Sequence, residues 1–206
     1  MQIDPSKNSN SDNYKLMTNL IVPRPIAWIT SVDRRGVVNL APFSFFNAVS
    51  GAPPYVIISV GRNEGGSLKD TGNNIRDNGE FVVNMVTEEL FEAMNLTAAD
   101  FPPEQSELMA AHLHEAPSVH VKVPRLAEAK VSLECRFFSE QQLGPNTLFI
   151  GEVVMFHVAD ELIGPRGHIV DFEPIGRLGS PSVYCRTTDR FDVARINYAQ
   201  WRKISG

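Results

Sequence analysis

Val131-Ser132-Leu133-Glu134-Cys135-Arg136-Phe137 sets an apolar side chain at every second position, and Leu148-Phe149-Ile150-Gly151-Glu152-Val153-Val154-Met155-Phe156-His157-Val158 follows across a loop through Gly144-Pro145-Asn146. A period of two marks a strand with one buried face. Two such runs around a turn predict a long antiparallel hairpin. The same signals recur upstream. Ile26-Ala27-Trp28-Ile29-Thr30-Ser31 and Val37-Val38-Asn39-Leu40 flank the turn Asp33-Arg34-Arg35-Gly36, and Phe43 to Ser50 is a further extended stretch closed by Gly51-Ala52-Pro53-Pro54. Tyr55-Val56-Ile57-Ile58-Ser59-Val60 is a nearly unbroken apolar run, as expected of a strand buried on both faces, and Glu80 to Val86 is another strand.

Helical signals are short and scattered: Tyr14–Leu20 before Pro23 and Pro25, Ser67 to Asp77 before Gly79, a segment after Thr87 carrying Leu90, Phe91 and Met94, and Pro103 to Ala111. Strands joined mostly by short turns, with helices as separate insertions, do not alternate as βαβ units. They predict a mainly β fold, an antiparallel, Greek-key-like barrel with several short peripheral helices. At 206 residues the chain suits one domain, taken as 14–206, with a polar segment 1–13 expected to be flexible.

Bulk properties exclude several function classes. A net charge of −5 gives no field for non-specific nucleic-acid or anionic-membrane binding. The first residues lack the basic and apolar regions of an export signal, no apolar run approaches the roughly 18 residues of a membrane span, and Cys135 and Cys185 form no C-x-x-C pair. A cytoplasmic protein with reduced thiols is expected.

Two segments could carry chemistry. In Ser59-Val60-Gly61-Arg62-Asn63-Glu64-Gly65-Gly66-Ser67-Leu68-Lys69-Asp70-Thr71 a strand enters a glycine-rich loop and then a helix start. Free N–H groups and the positive end of the helix dipole suit a phosphate there. Ser67 with Asp70 also makes an acceptable capping box, which needs no ligand. In Asn39-Leu40-Ala41-Pro42-Phe43-Ser44-Phe45-Phe46-Asn47 an aromatic run is broken by Ser44 and Asn47. That pattern suits either core or the wall of a planar ligand with polar edges.

Taken together the segments resemble the flavin-reductase-like family of FMN-binding split barrels. The matching pieces are Pro23-Arg24-Pro25-Ile26-Ala27-Trp28-Ile29-Thr30-Ser31, Gly36 with Asn39-Leu40-Ala41-Pro42-Phe43-Ser44, Val49-Ser50 before Pro53-Pro54, and Lys69-Asp70-Thr71. Ile75, Glu80-Phe81-Val82-Val83-Asn84 and Leu148-Phe149-Ile150-Gly151-Glu152-Val153 continue the match, with Arg177-Leu178-Gly179 and Tyr184 as a further element. The resemblance implies a homodimer that binds FMN and oxidises NADH or NADPH, passing electrons to free flavin or a partner oxygenase. A non-enzymatic FMN-binding electron carrier is the alternative. It further implies that Thr30 and Ser31 lie along the ribityl chain, that Ser44, Phe45, Phe46 and Asn47 border the isoalloxazine, and that Gly61, Arg62, Lys69, Asp70 and Thr71 surround the phosphate.

Hydride transfer is chemistry the cofactor performs itself, so no catalytic residue is expected. His112-Leu113-His114-Glu115 is a poor metal motif, because residues two apart leave a helix on different faces. Cys135 sits among apolar neighbours as inert core, whereas Cys185 lies in a polar stretch. His157 and His168 are distant candidates for the nicotinamide side. Ser44 and Ser50 lack a G-x-S-x-G elbow, which argues against a hydrolase.

Overall fold

In the computed structural model, which describes residues 1–169 and 171–204, the strand signals become one antiparallel seven-stranded sheet. Its strands are β1 (Ala27–Val32), β2 (Val38–Phe43), β3 (Phe46–Gly51), β4 (Pro54–Val60) and β5 (Glu80–Met85). After a small ribbon of β6 (Glu115–Ala116) and β7 (Arg125–Leu126) come β8 (Val131–Leu143) and β9 (Asn146–Val158). The spatial order is β2-β1-β5-β8-β9-β4-β3. The two outermost strands, β2 and β3, are joined by Ser44-Phe45 alone. A sheet whose edges are that close in sequence must curl until they meet. The curl brings β2 against β4, and the Phe45 carbonyl extends the β3–β4 ladder up to the link by accepting the Ser59 N–H at 2.9 Å. The result is the expected split barrel.

Alternation fills its interior with Ala27, Ile29, Val56, Ile58, Phe81, Val83, Cys135 and Phe149. Gly151 of β9 faces the fully buried Phe81 ring so closely that a Cβ would collide with it. Four helices precede the late hairpin or lie beside it: α1 (Asn10–Leu20), α2 (Asp70–Asn78), α3 (Phe91–Leu96) and α4 (Glu107–Ala110). Helix α2 connects β4 to β5, packs on β1, β2 and β5, and sends Ile75 into the interior, with Leu68 before it. Gly79 ends it in the left-handed conformation, φ 70°.

A second layer lies outside β1, β5 and β8. Trp28, Leu40, Val86, Met94, Leu108 and Leu126 form its core, and the Trp28 indole donates to Thr97 Oγ1 at 2.8 Å. This layer changes what the sequence pattern means. The polar face of β8 is solvent-facing only from Arg136 onward: Ser132 and Glu134 are fully buried. Ser132 donates to Asn84 Oδ1 at 2.9 Å. Glu134 accepts the N–H groups of Val119 (2.6 Å), His120 (2.6 Å) and Val121 (3.1 Å), and its Oε1 lies 2.5 Å from His157 Nε2. Burial alone would raise this carboxyl's pKa. The His157 and backbone bonds outweigh burial and hold it below the usual carboxylate range. β4 departs in the opposite sense. Val56, Ile58 and Val60 are buried while Tyr55, Ile57 and Ser59 are half-buried, because no outer layer covers that side.

Other boundaries move for local reasons. The Ser9 side chain caps α1 by accepting from Asp12 N, so the helix begins within the segment expected to be flexible. Lys69 occupies the N-cap of α2 without a side-chain cap bond, so the Ser67–Asp70 capping box does not form. Ser106 starts α4, later than Pro103. After β9 the chain returns as β10 (Gly176–Arg177) paired with β11 (Tyr184–Cys185), and ends in α5 (Tyr198–Ile204). His112 has φ 54° and lies outside any helix, His114 Nδ1 lies 2.7 Å from Glu128 Oε1, and no metal-binding cluster occurs among the described residues. The two cysteines are not bridged, and burial pushes the Cys135 thiol well above its ordinary pKa. Among the described residues no helix is long and apolar enough to cross a membrane.

Two substitutions test this construction. Gly151→Ala forces its methyl into the Phe81 ring and is expected to cost about 1–3 kcal/mol. Glu134→Gln places an NH2 against backbone N–H donors and is expected to cost about 2–4 kcal/mol. Urea unfolding monitored by tryptophan fluorescence, in which the buried Trp28 reports the transition, measures both.

Candidate cofactor pocket at the barrel seam

Where the sheet edges approach, they leave a cavity of about 600 Å³. Its wall from β2 is Asn39, Ala41 and Phe43, the side chains of one strand face, continued by Ser44 and Phe45. Ser59, Gly61 and Asn146 line the opposite side, and Asn146 Nδ2 donates to Ser59 Oγ at 3.0 Å. The start of α2 supplies Lys69, Asp70 and Thr71. Residues 97–101, Glu107 and Tyr14 complete the rim.

The helix start is the chemically distinctive end. Gly72 N and Asn73 N both bond the Lys69 carbonyl, whereas the Asp70 and Thr71 N–H groups have no acceptor among the described residues. Free helix-start amides attract an anion. Lys69 Nζ adds a cation, held 2.9 Å from Asp100 Oδ1 in an exposed pair that an incoming phosphate can displace. Thr71 itself is buried, with Oγ1 2.9 Å from the Asn39 amide. The Asn39 orientation that satisfies both neighbours accepts from Thr71 Oγ1 and donates to Glu107 Oε1 at 3.2 Å.

Carboxylates are close by. Glu107 is 7% exposed, and its Oε2 accepts the Leu40 N–H at 2.9 Å. Burial raises its pKa, two backbone N–H groups oppose the rise, and Asp70 adds to it. Burial likewise raises Asp70, with Lys69 opposing and Asp100 and Asp33 reinforcing. Both carboxyls are therefore more easily neutralised than free ones, and Glu107 is already engaged by β2.

The structure thus brings Ser44, Phe45, Gly61, Lys69, Asp70 and Thr71 together around one cavity. The other residues implicated by sequence lie elsewhere. Thr30 points outward from β1, fully buried, and donates to the Pro124 carbonyl at 2.6 Å. Ser31 is sealed beneath α2, accepting from Asn74 Nδ2 at 3.1 Å. Phe46 belongs to the barrel core. Asn47 is exposed on β3 and accepts from the Ala48 N–H. Arg62 turns away to the Gly66 carbonyl (2.9 Å) and Gln142 Oε1 (3.1 Å). His157 is committed to Glu134, and neither it nor His168 lines the cavity.

Sequence reasoning missed Asn39, Ser59, Glu107 and Asn146 as site residues. A usable signal existed only for Asn39, which shares the period-two face of Ala41 and Phe43. The polar set fits FMN: unpaired amides and Lys69 at one end, hydroxyl and amide groups between, and the Ala41–Phe45 surface for a flat ring.

The raised pKa of Glu107 makes a pH prediction. Its contribution to stability is fully present below the ordinary carboxylate value of 4.5 and is lost as pH rises through its folded value. Glu107→Gln keeps the acceptor for Leu40 N–H and removes the titration. The variant is expected to gain stability relative to the native protein as pH rises from 4.5 through that value and to hold the gain above it, as read from urea midpoints at a series of pH values.

Similar proteins sharpen this picture. The family described as Flavin reductase like domain matches residues 17–190. An uncharacterised protein of Aquifex aeolicus is 43% identical over 176 residues, covering 84% of this chain and 90% of its own. Among solved structures, nitrilotriacetate monooxygenase component B from Bacillus cereus superimposes with a TM-score of 0.89 at 39% identity, covering 94% of this chain and 98% of that one. The Pseudomonas fluorescens 2-nitrobenzoate 2-nitroreductase NbaA does so with 0.87 at 37% identity, covering 96% and 98%. Matched over nearly its whole length and carrying a polar pocket at the seam of a split barrel, the chain belongs to the flavin-reductase-like family of oxidoreductases.

Proposed function

We propose that the protein is an FMN-dependent oxidoreductase that takes electrons from NADH or NADPH and passes them to free flavin or to a partner oxygenase in the cytoplasm. The observation that carries the reading is the pair of unpartnered amides at Asp70 and Thr71, set beside Lys69 at one end of a cavity walled at the other by Ala41–Phe45. Similarity to a monooxygenase component B supports an oxygenase partner. Similarity to a nitroreductase favours a second reading, in which a small organic acceptor is reduced directly at the same pocket.

When bound, the flavin supplies the hydride-accepting chemistry. The protein's own part is to bind, orient and exclude water. The α2 amides and Lys69 would hold the phosphate. Ser59, Asn146 and Asn39 would meet the polar chain, and Phe43 to Phe45 would flank the ring. Asn39 is itself fixed by Thr71 and Glu107, so its amide is held ready rather than free to rotate. We extend the reading to a homodimer, supported by the uncovered edge strand β3 with exposed Val49, and by Phe138, exposed and 4.9 Å from Tyr55 between ring centroids.

The purified protein should show flavin absorption that bleaches anaerobically on addition of one nicotinamide nucleotide. Lys69→Met should weaken FMN binding about ten-fold while leaving riboflavin binding unchanged, because riboflavin lacks the phosphate that the charge would hold. Flavin-fluorescence titration reads both. Bound flavin that dithionite but neither nucleotide reduces would make the protein an electron carrier.

A further inference from the structure

Beside the seam cavity, and sharing Tyr14, Pro42, Phe43, Ser44 and Ala98 with it, lies a second chamber of about 280 Å³. Its charge differs from its neighbour's. The seam cavity is lined by Glu64, Asp70, Asp100 and Glu107, with Lys69 as the cation. Among the described residues the chamber has no acidic group in its lining and carries two arginines, Arg24 and Arg177.

The fold puts these cations side by side. Arg24 and Arg177 are directly opposed in an antiparallel bridge, exchanging both backbone bonds at 2.8 Å. Directly opposed residues send their side chains to one side, and like charges there repel. Neither guanidinium has a carboxylate partner among the described residues. Arg24 is 7% exposed and is held by the carbonyls of Thr18, Ile21 and Leu178, with Ser44 Oγ 3.5 Å from Nε. Arg177 lies over the Tyr184 ring at 4.4 Å and bonds the Tyr184 hydroxyl and the Pro181 carbonyl. Neutral acceptors orient these groups without cancelling their charge. Burial lowers the pKa of Arg24, Tyr14 opposes that shift, and the nearby Arg177 adds a smaller lowering. An anion in the chamber would relieve the repulsion and take up N–H donors that the internal bonds leave free. Ile26, Met94, Pro42 and Phe43 give the chamber apolar walls.

We propose that this chamber is an anion subsite, in which Arg24 and Arg177 hold the carboxylate or phosphate of the molecule that exchanges electrons with the flavin. The inference rests on the reading that the seam cavity holds FMN: the two cavities share the lining Pro42–Ser44, so a molecule anchored at the arginines would lie beside that cavity. Two sources share the chemistry, a small aromatic acid and the pyrophosphate of a nicotinamide nucleotide.

Calorimetric titration of the FMN-loaded protein with benzoate and with inorganic pyrophosphate tests it. At least one probe should bind, and Arg177→Gln should weaken it ten-fold or more while FMN affinity stays unchanged. Tyr184→Phe removes one internal partner of Arg177 but keeps the charge, and should bind the probe like the native protein. Benzoate alone points to an organic acid. Pyrophosphate alone points to the nucleotide, and Arg177→Gln should then raise the nucleotide KM with little change in kcat. If neither probe binds, or binding is indifferent to Arg177→Gln, or Tyr184→Phe abolishes it equally, the subsite is overturned. Arg177-dependent binding to a protein that takes up no FMN would retain the anion subsite and remove the flavin reading instead.

Discussion

The fold depends on one connection. Ser44-Phe45 spans the two outer edges of a seven-stranded sheet, and a two-residue link cannot bridge a flat one. The sheet must therefore curl, and right-handed strand twist favours the same closure. The closing edge β2 comes up against β4 without forming a ladder with it, and the Phe45–Ser59 bond extends the β3–β4 ladder to the link itself. The gap left beside that bond is the seam cavity, and the start of α2 falls at its end because α2 must carry the chain from β4 back to β5. Closure and binding site thus have a single cause.

A second constraint fixes the outside of the barrel. Three adjacent strands, β1, β5 and β8, are covered on both faces, so polar groups on their outer face need partners in a dry environment. Glu134 gathers three backbone amides and His157, and Asn84 serves Trp28, Leu126 and Ser132. These bonds pin residues 117–126 to the barrel. A polar residue in strand alternation can therefore be a buried anchor as readily as a solvated one, and the difference lies in what the rest of the chain lays over it.

This is why the strands were more legible than the site. Period-two patterns and turn residues are local, and they identify β1, the β8–β9 hairpin and β5 without tertiary information. The break at Ser44-Phe45 was invisible because extended backbone continues on both sides of it. The helix start was legible as a place for an anion, but its capping depended on Lys69 rather than Ser67, since the loop first bonds itself from Asn63 to Gly66 and Ser67. Thr30 and Ser31 belong to the motif that carries the family resemblance, yet they face Pro124 and Asn74. Sequence motifs record what must be preserved and do not separate ligand contacts from the packing that shapes the pocket. Glu107 and Asn146 stand far from either motif, and only the curled sheet brings them to it.

The electrostatic plan follows from the same geometry. Residues 97–101, α4 and α2 carry carboxylates to the rim of the seam cavity, where a bare phosphate would meet repulsion as well as Lys69. Retention there must come from short-range donors, namely the unpaired α2 amides, rather than from the field of the pocket. The returning tail instead sets Arg177 against Arg24 behind Ser44, away from those carboxylates. An anion with no group to reach the α2 amides would favour the second place over the first. Two adjoining cavities of opposite charge can therefore discriminate between two anionic molecules, one held by short-range amides and the other by paired guanidiniums.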